Sequence, residues 1–303
     1  MGYQYYTVDV FTGQRFGGNQ LAVVMDAEGL STDVMQNVAT EFNYSETTFV
    51  LPPKSADHTA EVRIFTPERE LPFAGHPNVG TAFVLAESGR VPLAQGDTAV
   101  VFEEKAGLVP VSIHVDGGRA HSCELKAPGA LERLQTFDAE QIAAATGLSV
   151  DDIVTSTHQP LMTRLGVEFV IAELRDRSTL GRIVPNQNAV DALPIENFPG
   201  MLLYTRDARS DAGSADLRAR MFAFLGGLRE DPATGSANCA LAGLLAELDG
   251  SEDGRFDYAI DQGVEMGRPS RLDARIIKRN GKADEIFIGG QCVSVANGQI
   301  DVG

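Results

Sequence analysis

Cysteine is scarce in this chain: Cys123, Cys239 and Cys292 are the only three in 303 residues. They are far apart, odd in number and form no Cys-x-x-Cys. That excludes a zinc knuckle and a disulfide framework, and leaves three reduced, partly buried thiols. The five histidines form no His-Glu-x-x-His pair, so no metal site is expected. Basic residues are outnumbered, 25 Lys and Arg against 42 Asp and Glu, for a formal net charge of −17. Such a field repels nucleic acid and anionic membranes, and no Arg or Lys stripe offsets it. No apolar run approaches the roughly 18–20 residues of a membrane span. The start, Met1-Gly2-Tyr3-Gln4, lacks the basic and apolar stretches of a signal peptide. The expectation is a cytoplasmic protein that partners neither nucleic acid nor membrane. No phosphate loop is present. Gly226-Gly227 follows a strand-like run, but its spacing is wrong for a dinucleotide fingerprint. No lysine sits in a recognisable Schiff-base setting. No cofactor is expected.

What is present is an ordinary globular composition, 43% apolar and 22% charged, long enough for one large domain or two of usual size. If the ligand is an anion, its site must supply local positive potential against the overall field. Helix N-termini do that without net charge.

Residues 3–10 alternate and read as a strand, 12–19 as turn chemistry, and 20–25 as the return strand. Ser31 or Thr32 caps a helix whose apolar positions Val34, Met35, Val38, Ala39 and Phe42 fit the 3.6 period. Glu46 falls at the head of a strand over 47–51. Another strand, 60–65, stops at Thr66-Pro67, since proline lacks the ladder donor. Gly75-His76-Pro77 opens a helix over 77–87, with Pro77 in the first turn, where a missing N–H costs nothing. Residues 98–115 read as a hairpin turning near Lys105-Ala106-Gly107. In the second half, 139–147 and 236–248 read as helices, and 152–156, 167–173 and 200–205 as strands. Pieces at 285–295 and 299–302 are expected to close the chain around an Asn297-Gly298 turn.

Both halves contain one unit: a strand, a proline-glycine turn, then an apolar helix. FTPERELPFAGHPNVGTAFVL and FAFLGGLREDPATGSANCALAGLL are its two copies. The expectation is two similar domains facing each other across a cleft: residues 1–115, to which 291–303 return, and residues 116–290, with the crossing near Gly117-Gly118. Arg63 and Arg69 read as surface ion pairs.

Four stretches resemble the PhzF-like family, which shares the two-domain fold of diaminopimelate epimerase. They are Asp9-Val10-Phe11 with Gly18-Asn19-Gln20-Leu21-Ala22-Val23, then Asn43-Tyr44-Ser45-Glu46-Thr47. Next come Arg63-Ile64-Phe65-Thr66-Pro67 through Phe73-Ala74-Gly75-His76-Pro77, and last Glu230-Asp231-Pro232-Ala233-Thr234-Gly235-Ser236-Ala237. They occur in the family's order over nearly the whole chain. The chain departs at Gln20, where the family usually has proline, and at Asn78, where it usually has threonine. The resemblance implies an α+β fold of two similar domains, each a curled, mostly antiparallel sheet around a central helix. It implies a homodimer and a cofactor-independent isomerase.

Diaminopimelate epimerase works with two opposed cysteines. Here the equivalent turns, Ala74-Gly75-His76 and Ala233-Thr234-Gly235, carry no thiol. The resemblance implies instead that Glu46 moves the proton in an interdomain cleft, with His76 and Asp231 as further catalytic groups. Glu46 then needs a raised pKa to act as base and acid in turn, which partial burial and a nearby carboxylate supply. Backbone N–H groups near Gly75 and Gly235-Ser236, with Asn78 beside them, would hold the substrate's carboxylate. The expected reaction is a proton shift on a small, unsaturated, carboxylate-bearing molecule. The alternatives are an amino-acid epimerase or racemase, and a non-catalytic small-molecule binder.

Overall fold

The computed structural model describes residues 2–94, 96–195, 200–210, 213–224 and 229–303. Gly226 and Gly227 lie outside the described residues. The chain divides into two compact units, Met1–Lys126 with Gly289–Gly303, and Ala127–Ile288.

The first unit begins with β1 (Gly2–Val10), β2 (Asn19–Val24), α1 (Thr32–Phe42) and β3 (Glu46–Leu51). β2 returns antiparallel to β1 and pairs in parallel with β3, with Leu21 opposite Glu46. α1 starts where the Ser31 hydroxyl accepts from Val34 N and ends at Asn43 in the left-handed region. Then come β4 (Ala60–Phe65), the short β5 (Glu70–Leu71), α2 (Gly75–Glu87) and the meander β6 (Asp97–Glu104), β7 (Gly107–Asp116) and β8 (Arg119–Lys126). β4 runs antiparallel to β3 and parallel to β6.

The second unit contains β9 (Glu132–Thr136), α3 (Ala139–Thr146), β10 (Ile153–Val154), β11 (Leu161–Leu165), β12 (Val167–Leu174), α4 (Arg177–Gly181) and α5 (Gln187–Asp191). It continues with β13 (Gly200–Thr205), the small hairpin β14 (Arg209–Ser210) and β15 (Gly213–Ser214), β16 (Leu217–Ala223) and β17 (Arg229–Asp231). α6 (Gly235–Leu248), β18 (Gly254–Gln262), β19 (Ser270–Arg279) and β20 (Lys282–Asp301) complete the chain. The boundary between the units falls inside β20. Pairing is mixed and mostly antiparallel, with parallel contacts at β12–β13 and β16–β18.

Each unit wraps its strands around one helix. In α2 every residue from Gly75 to Ala86 is buried, and α6 is buried along nearly its whole length. A helix apolar on all sides has no solvent face and belongs inside. Each needs one glycine to fit. A Cβ on Gly80 would lie 2.6 Å from Leu21 Cδ2 and 2.7 Å from Val10 Cγ2. On Gly243 it would lie 2.8 Å from Ile286 Cδ1.

Two turn expectations are corrected. Gly117-Gly118 is the tight link of the β7–β8 hairpin, both residues at positive φ, and the first unit continues to Lys126. Asn297-Gly298 is no turn: β20 runs straight through it, pairing Asn297 with Tyr6 and Gly298 with Tyr5. β1 offers a full-length partner, and that ladder outweighs the local turn preference. Glycine suits 298 because the Tyr5 ring lies 3.0 Å from where a Cβ would stand and would have to give way to one.

Candidate active site

β2 and β3 start side by side, and α2 packs through Gly80 against Leu21 of β2 and Val10 of β1. His76 lies four residues before Gly80, one turn nearer the helix start on the same face. That places the ring over the first residues of both strands. His76 Nε2 lies 3.4 Å from Glu46 Oε2, with side chains 6% and 17% exposed. Asn19, the buried first residue of β2, brings its amide nitrogen to 3.4 Å from His76 Nδ1.

Burial pushes the His76 pKa down to about 3, with a backbone hydrogen bond to Gln20 acting in the opposite sense. The ring is therefore neutral at physiological pH. An imidazolium here would pair with the Glu46 carboxylate; a neutral imidazole puts no positive charge beside it.

The first turn of α2 has no side-chain cap, since its N-cap residue is Ala74. Orphan N–H groups at a helix start carry the positive end of the dipole. Gly75 is buried there, and so is Asn78, whose Nδ2 donates to Ala74 O at 2.9 Å. The Asn78 side chain thus shapes the turn from within.

The second unit builds a matching turn. Asp231 ends β17, and its carboxylate accepts from the Thr234 hydroxyl. Gln262, fully buried on β18, staples the loop. Its Nε2 donates to Asp231 O at 2.7 Å, and its Oε1 accepts from Thr234 N at 3.2 Å and Asn238 Nδ2 at 2.6 Å. Asn238 Nδ2 also donates to Thr234 O at 2.9 Å, as Asn78 does to Ala74 O. Gly235 and Ser236 open α6, whose N-cap Thr234 gives its hydroxyl to Asp231 rather than to the helix.

The repeat extends to a charged clasp. Arg63 donates to both oxygens of Glu70 at 2.8 Å and lies over Phe65; Arg220 donates to Glu230 at 2.7 and 2.8 Å and lies over Phe222. Arg63 was expected on the surface but is mostly buried. Its bidentate geometry holds the Glu70 carboxyl below its usual range. Each clasp ties the strand before a helix to the segment that leads into it.

Asn19, Gln262, Thr234 and Asn238 were not singled out from the sequence. The Gly-x-x-Asn spacing shared by 75–78 and 235–238 is the signal that marks the two asparagines as equivalent. Cys123 and Cys292 are buried in the first unit. Burial pushes both thiols up, Cys292 to about 12. Neither supplies a thiolate base.

Two α+β units, each centred on a buried helix, with Glu46 and His76 side by side at one helix start, define the class. Residues 8–298 match the family described as phenazine biosynthesis-like protein, and the chain belongs to that family. It is 38% identical over 304 residues to an uncharacterized isomerase of Mesorhizobium japonicum, covering 98% of each chain. It is 34% identical over 299 residues to the trans-2,3-dihydro-3-hydroxyanthranilate isomerase of Pseudomonas aeruginosa, covering 98% of this chain and 99% of that one. The crystal structure of the PhzF-family phenazine biosynthesis protein of Bacillus anthracis superposes with a TM-score of 0.85 at 24% identity, over 99% of each chain. The epimerase-like α+β fold and the isomerase class expected from the motifs both hold. No helix among the described residues is long and apolar enough to cross a membrane.

Proposed function

We propose that this isomerase moves a proton between two carbons of a small, conjugated carboxylate, with Glu46 as the group that carries it. The observation that supports this most directly is the 3.4 Å approach of a neutral His76 to Glu46 beside the uncapped first turn of α2. The Glu46 carboxylate removes a proton from a carbon next to the unsaturated system. The electron pair moves into that system and onto the carboxylate oxygens, where N–H groups of the helix start receive the charge. Protonated Glu46 then returns the proton to another carbon of the system, and the double bond shifts. Nothing is consumed, and one group serves as base and acid in turn.

In the same reading Gly75 and Asn78 shape the first unit's anion-binding turn. Asp231, Gly235 and Ser236 form the corresponding turn of the second unit. The Pseudomonas relative is named for a substrate of this kind, a hydroxylated dihydro ring bearing a carboxylate and an amine. The same chemical class is the substrate proposed here. A two-thiol epimerase is disfavoured because both turns lack cysteine.

The test is turnover of trans-2,3-dihydro-3-hydroxyanthranilate and related dienoic carboxylates in deuterium oxide. The expected result is turnover with deuterium at no carbon other than the one Glu46 reprotonates, the label there reporting exchange of protonated Glu46 with solvent before the return step, and turnover about 10²-fold slower with Glu46→Gln. Wild-type rates in that variant would assign the proton transfer to another group.

A further inference from the structure

A second titratable group reaches α2, and the proton-transfer scheme does not use it. Glu104 ends β6, on the strand face that turns Val100 and Phe102 into the core. Both its carboxyl oxygens are buried, and neither has a hydrogen bond of regular geometry. The polar neighbour that acts on it is the side chain of Asn78, in the first turn of α2. Asn78 is 0% exposed; its Nδ2 is engaged with Ala74 O, and its Oδ1 is buried without a donor. The one donor that acts on the carboxyl is therefore an amide already engaged with Ala74 O. An ionised carboxylate would have only that shared amide to offset its burial, a heavy penalty in a buried site.

The charged groups on neighbouring elements are engaged elsewhere. Lys105, next along the chain, donates to Glu70 at 2.6 Å, and Arg63 on β4 is clasped to the same carboxylate. Glu61 on β4 is bound to Lys54, and Glu103 is bound to His58 at 2.6 Å. β7 brings Gly107 opposite Glu104, and α2 brings the neutral His76. Burial accordingly raises the Glu104 pKa to about 8, with Asn78 acting in the opposite sense.

We propose that Glu104 is a positioning residue for the first turn of α2: as a neutral acid it leaves Asn78 Nδ2 to Ala74 O and keeps that turn receptive to an anion, and on losing its proton it closes the turn to anions. An ionised Glu104 competes for that amide, which otherwise holds the Ala74 carbonyl and fixes the direction of the N–H groups that follow. A negative charge against the same turn would cancel the positive end of the helix dipole, which favours an anion there. The inference rests on the proposed carboxylate-binding role of α2.

The experiment is calorimetric titration of the full chain with benzoate from pH 6.5 to 9, for wild type, Glu104→Gln and Glu104→Ala. Since only the neutral form is competent, wild-type affinity should fall about tenfold between pH 7 and pH 9. Glu104→Gln keeps the size of the side chain and cannot ionise, so it should match wild type at pH 7 and stay flat to pH 9. Glu104→Ala removes the titrating group and should likewise show no alkaline loss. If Glu104→Gln falls off with pH as wild type does, the Glu104 assignment is overturned while the carboxylate reading stands. If benzoate binds to none of the three at any pH, the carboxylate reading fails and this proposal with it. Infrared spectroscopy of wild type gives a check that needs neither ligand nor variant. A protonated-carboxyl band that persists above pH 7 and disappears around pH 8 is expected, and its absence at pH 7 overturns the proposal.

Discussion

Two buried groups of the first unit titrate against each other, and the result is a stability profile with a flat top. His76 stays neutral down to about pH 3 in the fold, whereas a free histidine takes its proton at 6.5. The unfolded chain therefore binds more protons between those values, and stability falls as pH drops through the window. Glu104 keeps its proton up to about pH 8, whereas a free glutamate loses it at 4.5. Here the folded chain binds more protons, and stability falls as pH rises from 4.5 to 8. The two slopes oppose between 4.5 and 6.5, and above 6.5 that of Glu104 stands alone. At about 1.4 kcal/mol per pH unit, the loss from pH 6.5 to 8 is about 2 kcal/mol. With a urea dependence of about 3 kcal/mol per molar, the midpoint moves down by roughly 0.7 M. The acid limb is shared with His158, whose ring burial also pushes down, so the alkaline limb is the cleaner measurement. The assay is urea unfolding followed by tyrosine emission. The chain has no tryptophan, and Tyr3, Tyr5, Tyr6 and Tyr44 all lie in the first unit. Glu104→Gln should abolish the alkaline loss. An equal loss in that variant would refute the assignment of Glu104 as a buried neutral acid.

Further expectations are as follows. Glu46→Gln should lower kcat by about 10²-fold or more while leaving benzoate affinity within about twofold of wild type, as read from steady-state rates and calorimetry. Gly80→Ala should lower stability by about 1–3 kcal/mol in urea melts, because its Cβ has no room against Leu21 and Val10. Arg220→Met leaves the mostly buried Glu230 carboxylate without its bidentate partner and should lower stability by about 3–5 kcal/mol, which thermal melts would register. Asp231→Asn should reduce kcat by less than Glu46→Gln does, and a loss as large would assign proton transfer to Asp231 as well.

The local elements were legible because their signals are local. The strand over 60–65 ends at its proline, α1 is bracketed by Ser31 and Asn43, and the two central helices show as apolar runs after glycine turns. Glu46 and His76 were reached through motif resemblance, since nothing in composition pairs residues 30 positions apart. Asn19 and Gln262 stayed hidden because each acts through a contact made only when distant segments pack. Glu104 is more instructive. It reads as part of a charged hairpin tip, Glu103-Glu104-Lys105, yet the alternation Val100, Phe102, Glu104 already turns it inward. Asn297-Gly298 misled for the opposite reason: a strong turn dipeptide lost to a long ladder.

The paired clasps have a consequence for how such a protein changes over time. Arg63 with Glu70 and Arg220 with Glu230 anchor corresponding strands, and each helix then begins with its own residues, Gly75-His76-Pro77 in one and Gly235-Ser236-Ala237 in the other. The anchors lie outside the turns that open the helices. A duplicated ancestor with this layout can exchange a histidine for a serine, or a cysteine for a glycine, at either helix start without loosening the strands that present it. One half is then free to acquire a proton carrier while the other keeps an anion-holding turn. Divergence of reaction type on this scaffold needs only a few substitutions at two sites, with the framework held constant.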